Sequence, residues 1–200
     1  SAKFYFSTPA VDEDNDRVYL NYYNSTALMS HLIAFARSNG SVVFDKELPT
    51  STHSASQMAA PPSIGPDGTV YVDANDILFA LRPSDGNITW QRPFGWRGSP
   101  TNSSVGPDGT LFVAYDDKLM ALNPANGATK WEKFYTIGST EYLGEIYSST
   151  NGMVVISYEQ NGVRRLGGIK DNGISFEDRW DIPGGGTTAF GPGRTIISIP

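Results

Sequence analysis

The sequence predicts an all-β chain built as a β-propeller of four-stranded antiparallel blades, and three observations carry that prediction. Gly65-Pro66-Asp67-Gly68-Thr69-Val70-Tyr71-Val72 returns as Gly106-Pro107-Asp108-Gly109-Thr110-Leu111-Phe112-Val113, and Ala80-Leu81-Arg82-Pro83 returns as Ala121-Leu122-Asn123-Pro124. Gly86-Asn87-Ile88-Thr89-Trp90 likewise returns as Gly127-Ala128-Thr129-Lys130-Trp131. A repeat length in the low forties, made of short runs too brief for helices, rich in Val, Ile, Tyr and Phe and punctuated by Asp-Gly or Asn-Gly, matches propeller blades.

The units follow in order. In the first, at about 9–48, Asp14-Asn15-Asp16-Arg17-Val18-Tyr19-Leu20 takes the place of the Pro-Asp-Gly turn and second strand, and Phe44 stands where later copies carry Trp. The two clean copies occupy about 61–93 and 100–135. A more divergent copy at 144–182 keeps Asn151-Gly152, Asn172-Gly173 and Trp180, and a last partial copy begins near Gly191. Asp67-Gly68, Asp108-Gly109 and Asn151-Gly152 are expected to join first and second strands as two-residue hairpins, because such turns need positive φ angles. Asn39-Gly40, Asp85-Gly86, Asn126-Gly127 and Asn172-Gly173 would join third and fourth strands. Lys3-Phe4-Tyr5-Phe6 reads as an outer fourth strand, so residues 1–7 and 187–200 are expected either to share one closing blade or to be cut edges of a larger ring, the fragment reading being favoured. Coverage of those edges by a neighbouring subunit is a variant. The start at Ser1-Ala2-Lys3-Phe4, without Met or an apolar leader, fits a processed or excised chain.

Trp90, Trp131 and Trp180 recur near the start of each outer strand. They are expected to be structural staples wedged between blades, each indole N–H bonding a backbone carbonyl of the neighbour. Trp96, in the connection Pro93-Phe94-Gly95-Trp96-Arg97, breaks the pattern and is the candidate platform for a sugar or flat cofactor. Tyr142 is a second exposed-aromatic candidate for carbohydrate.

Composition narrows the function classes. Fifteen Lys and Arg against 21 Asp and Glu give a net charge of −6 over 200 residues, which repels a phosphate backbone, so nucleic acid is not an expected partner. No apolar run reaches the roughly 20 residues of a membrane-spanning helix. The absence of cysteine excludes disulfides, thiolate metal sites and cysteine nucleophiles. Asp12, Asp14 and Asp16 alternate as carboxylates aimed at calcium do, but Arg17 stands where such a loop wants Gly and Tyr23 where it wants Glu. A solvated acidic hairpin is the simpler reading. His31 and His53 form no metal pair, no Gly-x-Ser-x-Gly elbow occurs, and Gly184-Gly185-Gly186 lacks the Lys-Ser/Thr of a phosphate loop. Four Asn-x-Ser/Thr tripeptides, at Asn24, Asn39, Asn87 and Asn102, are candidate glycosylation sites in a secreting eukaryote.

Taken together, Gly-Pro-Asp-Gly-Thr-Val-Tyr-Val, Leu-Phe-Ala-Leu-x-Pro and Asp-Gly-x-x-x-Trp resemble the pyrroloquinoline-quinone repeat of quinoprotein-dehydrogenase-like propellers, clearest over residues 62–134. The resemblance implies fold more than activity, since that family includes quinone-dependent dehydrogenases and also a non-catalytic lipoprotein scaffold of outer-membrane protein assembly. Its dehydrogenases hold the quinone under a vicinal disulfide, which this chain cannot form, and no Glu, Asn and Asp set matches their calcium ligands. No catalytic residue is therefore assigned, no cofactor is expected, calcium is the one metal with a candidate loop, and the quinone is disfavoured. The leading expectation is a non-catalytic extracellular scaffold, periplasmic in a bacterium, binding a protein partner or its own copies. Part of a quinone- and calcium-dependent dehydrogenase, and a carbohydrate-binding propeller, are the alternatives.

Overall fold

The computed structural model describes residues 3–49, 60–74, 76–94, 103–138, 143–184, 188–190 and 196–198. Among these there is no helix, and four antiparallel sheets of four or five strands and one short hairpin hold all the strands. The chain divides into two compact units, Ser1–Asn102 and Ser103–Pro200.

In the first unit, one sheet contains β1 (Phe4–Phe6), β2 (Ala10–Asp12), β3 (Arg17–Asn24), β4 (Met29–Ala36) and β5 (Val42–Leu48). The other contains β6 (Ser63–Ile64), β7 (Val70–Ala74), β8 (Ile77–Leu81) and β9 (Ile88–Pro93). The second unit repeats the meander with β10 (Ser104–Val105), β11 (Leu111–Tyr115), β12 (Lys118–Leu122) and β13 (Thr129–Phe134). It does so again with β14 (Leu143–Ser148), β15 (Met153–Gln160), β16 (Val163–Asp171) and β17 (Phe176–Pro183), followed by the pair β18 (Thr188–Phe190) and β19 (Ile196–Ser198).

Two expectations are corrected. Residues 4–6 do not form an outer fourth strand: β1 lies on the same edge of β3 as β2, with Phe6 opposite Tyr22 and Ala10 opposite Tyr19. The two are one first strand interrupted at Pro9, which has no N–H to give a ladder. The amide of Ser7 donates to Asn21 O, and the amide of Asn21 donates to Ser7 Oγ, bridging toward the gap. The second correction concerns the Asp-Gly turns. Pro66 and Asp67 are the central residues of a four-residue turn closed by Gly68 N to Gly65 O at 2.9 Å, and only Gly68 has positive φ, +81°. Proline presets the first central position, so the glycine becomes a bulge residue after the turn rather than half of a two-residue loop. The Asp67 carboxylate fastens the turn by accepting from Thr69 N and Thr69 Oγ1, as Asp108 does with Thr110. A Cβ on Gly68 would meet Asn15 Nδ2 of the neighbouring sheet at 2.7 Å, so this turn also needs glycine for close approach.

Each unit buries the facing sides of its two sheets. Tyr19, Leu32, Ala34 and Leu48 pack on Val70, Val72, Phe79 and Leu81 in the first. In the second, Phe112, Leu119, Ala121 and Trp131 pack on Ile146, Val154, Ile156 and Ile169. A fully buried side chain of this size stabilises by about 1.5–3 kcal/mol, which makes face-to-face stacking the main cohesive term. All four sheets carry the same irregularity. One extra residue, Val43, Thr89, Lys130 or Arg179, is inserted in the outer strand just before Phe44, Trp90, Trp131 or Trp180. The bulge sets each ring beside a small residue on the third strand, Ala34, Ala80, Ala121 or Gly168, and beyond it Tyr19, Tyr71, Phe112 or Val155 on the second. In the first three sheets the two aromatics meet at 6.3, 5.9 and 5.9 Å with nearly the same tilt, 41–42°. The fourth lacks the second-strand aromatic, and there Trp180 lies down on Gly168, where a Cβ would sit 2.2 Å from its Cε2.

Buried polar groups tie the first unit across its sheets. Asn21 donates through Nδ2 to the backbone oxygens of Ala60 and Asp73, at 3.1 and 3.0 Å. Asp73 itself is buried, with Oδ1 unpartnered. Burial first, and the nearby Asp76 second, push its carboxyl well above the ordinary 3.8.

Two outcomes follow from these contacts. Gly168→Ala drives a methyl into the Trp180 ring and should lower stability by about 1–3 kcal/mol in urea titration, the usual cost of overpacking. Wild-type-like stability would show that the indole does not rest there. Because the folded-state pKa of Asp73 is raised, its contribution is fully present below 3.8 and is lost as pH rises through the folded value. Asp73→Asn should therefore leave the urea midpoint unchanged below about pH 4 and raise it increasingly above that; a parallel pair of pH profiles would contradict the assignment.

Candidate functional site

The interface between the β10–β13 and β14–β17 sheets concentrates the chain's side-chain chemistry. The bulge at Lys130 turns Trp131 into that interface, where it is 7% exposed and sits between Phe112 at 5.9 Å and Phe176 at 5.0 Å. Its Nε1 donates to Asp171 Oδ1 at 2.8 Å, so the acceptor across the interface is a side-chain carboxylate, not the backbone carbonyl expected. Asp171 closes β16, and the same oxygen accepts from Gly173 N at 3.0 Å, which fixes it ahead of the indole. In the first unit Phe44 offers no N–H and lies against Gly86 of the next sheet, with ring atoms 2.7 Å from where a Cβ would stand. Trp90 lies tilted against Tyr71 of its own sheet, and Trp180 lies on Gly168 of its own.

Above Trp131 the same interface opens into a cleft of about 360 Å³. Tyr135 and Tyr158 form its aromatic wall, rings 4.8 Å apart at 59°. Two ion pairs border it. Lys133 Nζ bonds both oxygens of Asp178, at 2.6 and 2.8 Å, and lies over the rings of Tyr135 and Phe176. Arg165 Nε donates to Asp181 Oδ1 at 3.0 Å, and the Tyr158 hydroxyl donates to Asp181 Oδ2 at 2.6 Å. Gln160 Nε2 donates to Thr136 O. Burial, followed by the neighbouring Tyr158 and the carboxylates of Asp178 and Asp181, holds the Tyr135 phenol far above its ordinary value. Burial and the bond to Asp181 raise Tyr158. Both phenols thus stay protonated and neutral, able to donate and accept hydrogen bonds but not to act as bases near neutrality. A second, more open depression of about 440 Å³ lies by the turns, between Pro107-Asp108 and Asn151, Lys170 and Asp171.

The structure separates the residues singled out in the sequence. Asp12, Asp14 and Asp16, the candidate calcium loop, lie on a hairpin turn. Asp12 accepts from the amide and side chain of Asn15, and Asp16 accepts from Ser38 Oγ and faces Arg37, so two of the three carboxylates serve the turn. Among the described residues no group of three His, Cys, Asp or Glu is arranged to hold a metal. Asn39 and Asn87 are exposed at third-to-fourth-strand turns, and Asn24, half-buried, caps its own turn by accepting from Thr26 N and Ala27 N. Asn102, Trp96, His53 and Tyr142 lie outside the described residues. His31 bonds Asp45 through Nδ1 at 3.0 Å and stacks on Tyr22 at 4.7 Å. The cleft residues Tyr135, Tyr158, Asp178 and Asp181 escaped sequence reasoning. The available signal was Gly167, which stands where the other repeats carry Ile33, Phe79 and Met120.

Comparison with known proteins agrees with this architecture. The family described as outer membrane protein assembly factor BamB matches residues 80–167. BamB from Moraxella catarrhalis superposes with a TM-score of 0.59 at 19% identity, over 82% of this chain and 49% of that one. A protein from Lactobacillus plantarum gives 0.66 at 14% identity, over 95% and 63%. A putative oxidoreductase (glucose dehydrogenase) from Thermus thermophilus gives 0.58 at 11%, over 98% and 76%. The chain thus spans about half the length of that BamB and under two thirds of the Lactobacillus protein. No curated protein matches it. In its blade grammar and in the match over residues 80–167, the chain is similar to the pyrroloquinoline-quinone-repeat proteins, and its fold is that of a β-propeller of four-stranded antiparallel blades.

Proposed function

We propose that this chain is a non-catalytic, protein-binding scaffold of the assembly-factor type, working in the periplasm or outside the cell. The match of residues 80–167 to a family described as an assembly factor carries the reading. It is supported by a surface suited to protein contact: Phe4 and Phe6, 47% and 61% exposed, flank Tyr22 at 6.1 and 5.8 Å on one side of the first sheet. Exposed aromatics grouped in this way are the residue types that dominate protein interfaces. The exposed Asn39 and Asn87 would accept glycans without disturbing either core. The second reading, part of a quinone- and calcium-dependent dehydrogenase, draws on the likeness to a putative glucose dehydrogenase.

Cross-linking in the native source with mass-spectrometric identification tests the scaffold reading. A stoichiometric partner should be recovered with the wild-type chain, and recovery should fall at least about tenfold, equivalent to about 1.4 kcal/mol, with Phe4→Ser/Phe6→Ser. Dye-linked alcohol or sugar oxidation that tracks loading with calcium and the quinone would overturn it in favour of the enzyme.

A further inference from the structure

We propose that the cleft over Gly167 is a binding site for a neutral polyhydroxylated ligand of one or two sugar units. The site arises from a single departure from the repeat. On the sheet face that packs against its neighbour, the position beside Ile156 is Gly167, whereas the matching position of the β6–β9 sheet is Phe79, a member of the first unit's core. A bulky core side chain is thereby replaced by a hydrogen: a Cβ at Gly167 would stand in ordinary contact with Tyr158 Cε1 at 3.4 Å and with Ile156 Cγ2 and the Tyr135 hydroxyl at 3.6 Å, and the cleft opens beside these atoms. Its walls, the paired rings of Tyr135 and Tyr158, are held in place by Asp181 and Lys133 at the cleft's border.

The polarity of the walls chooses the ligand. Tyr135 is 8% exposed, its hydroxyl lies 3.6 Å from that vacant Cβ position, and among the described residues that hydroxyl makes no hydrogen bond. That oxygen is not among the fully buried unpartnered atoms, so it faces the cleft, and an apolar occupant would take it from water and leave it without a partner. A charged occupant gains little, because Lys133–Asp178 and Arg165–Asp181 already neutralise each other at the mouth. Hydroxyls that both donate and accept suit this wall: the carboxylates accept, Tyr135 and Lys133 donate, and the carbonyl oxygen of Gln160 remains open while its nitrogen serves Thr136 O. The apolar edge of a pyranose would lie against the tyrosine rings. The volume of about 360 Å³ falls at the small end of ligand clefts.

The cleft is a different surface from the aromatics at Phe4 and Phe6, so sugar binding stands or falls separately from the scaffold reading. The test titrates the full chain with methyl glucoside, methyl galactoside, methyl mannoside, maltose and cellobiose, and with glucuronate and glucosamine as charged controls, following amide shifts by NMR. At least one neutral sugar should bind with millimolar or better affinity and shift amides near Tyr135, Tyr158 and Gly167. Gly167→Met, which installs the residue found at the matching position in the preceding repeat, should abolish the shifts with the fold unchanged by circular dichroism. Tyr135→Phe should weaken binding about tenfold or more. No response from any neutral sugar at about 50 mM, tighter binding of glucuronate or glucosamine, or binding that survives both substitutions would overturn the proposal.

Discussion

A four-stranded meander has two faces and cannot bury either alone, so everything in this chain depends on sheets stacking on sheets. The device that registers them is local. A one-residue bulge in each outer strand places a large ring over a small third-strand residue, and in the two described interfaces that ring is presented to the next sheet. In the second unit the contact is Trp131 held to Asp171; in the first it is Phe44 against Gly86. One carries a hydrogen bond and the other only packing, yet both occupy the same place. The ring's volume, rather than its N–H, is the common requirement.

Departures from the repeat are where chemistry gathers. Val155 and Gly168 remove two groups that the other repeats supply, and Trp180 falls into the space. Gly167 removes a third and leaves a cleft lined by phenols and ion pairs. Neither change disturbs the ladder, because β15, β16 and β17 keep full antiparallel register around the usual bulge. A repeat fold can hollow out one interface while its neighbours carry the stability.

Polar residues inside the first unit act in the opposite sense, closing an interface instead of opening one. Asn21 commits both amide hydrogens to backbone oxygens, one of them on the facing sheet, and Asp73 is kept away from water with one oxygen unpaired. Such groups specify how two sheets sit but contribute little net stability, since desolvation opposes them.

Spacing and composition by themselves determined the strands, the order of the meander and the turn positions, because alternation and Asp-Gly or Asn-Gly punctuation are encoded within each forty-residue unit. They also marked Trp131 as a ring needing a neighbour. They did not reveal that Pro66 converts Asp67-Gly68 into a turn plus bulge, since that depends on which residue inherits positive φ. Nor did they reveal that Phe4–Phe6 belongs to the first sheet, because strand partners are chosen by hydrogen bonds across a gap at Pro9. Of the cleft, the sequence carried only the odd glycine at Gly167. Tyr135, Tyr158 and Asp181 come from separate segments of two sheets, and only sheet-on-sheet packing brings their side chains to one hollow above a missing Cβ.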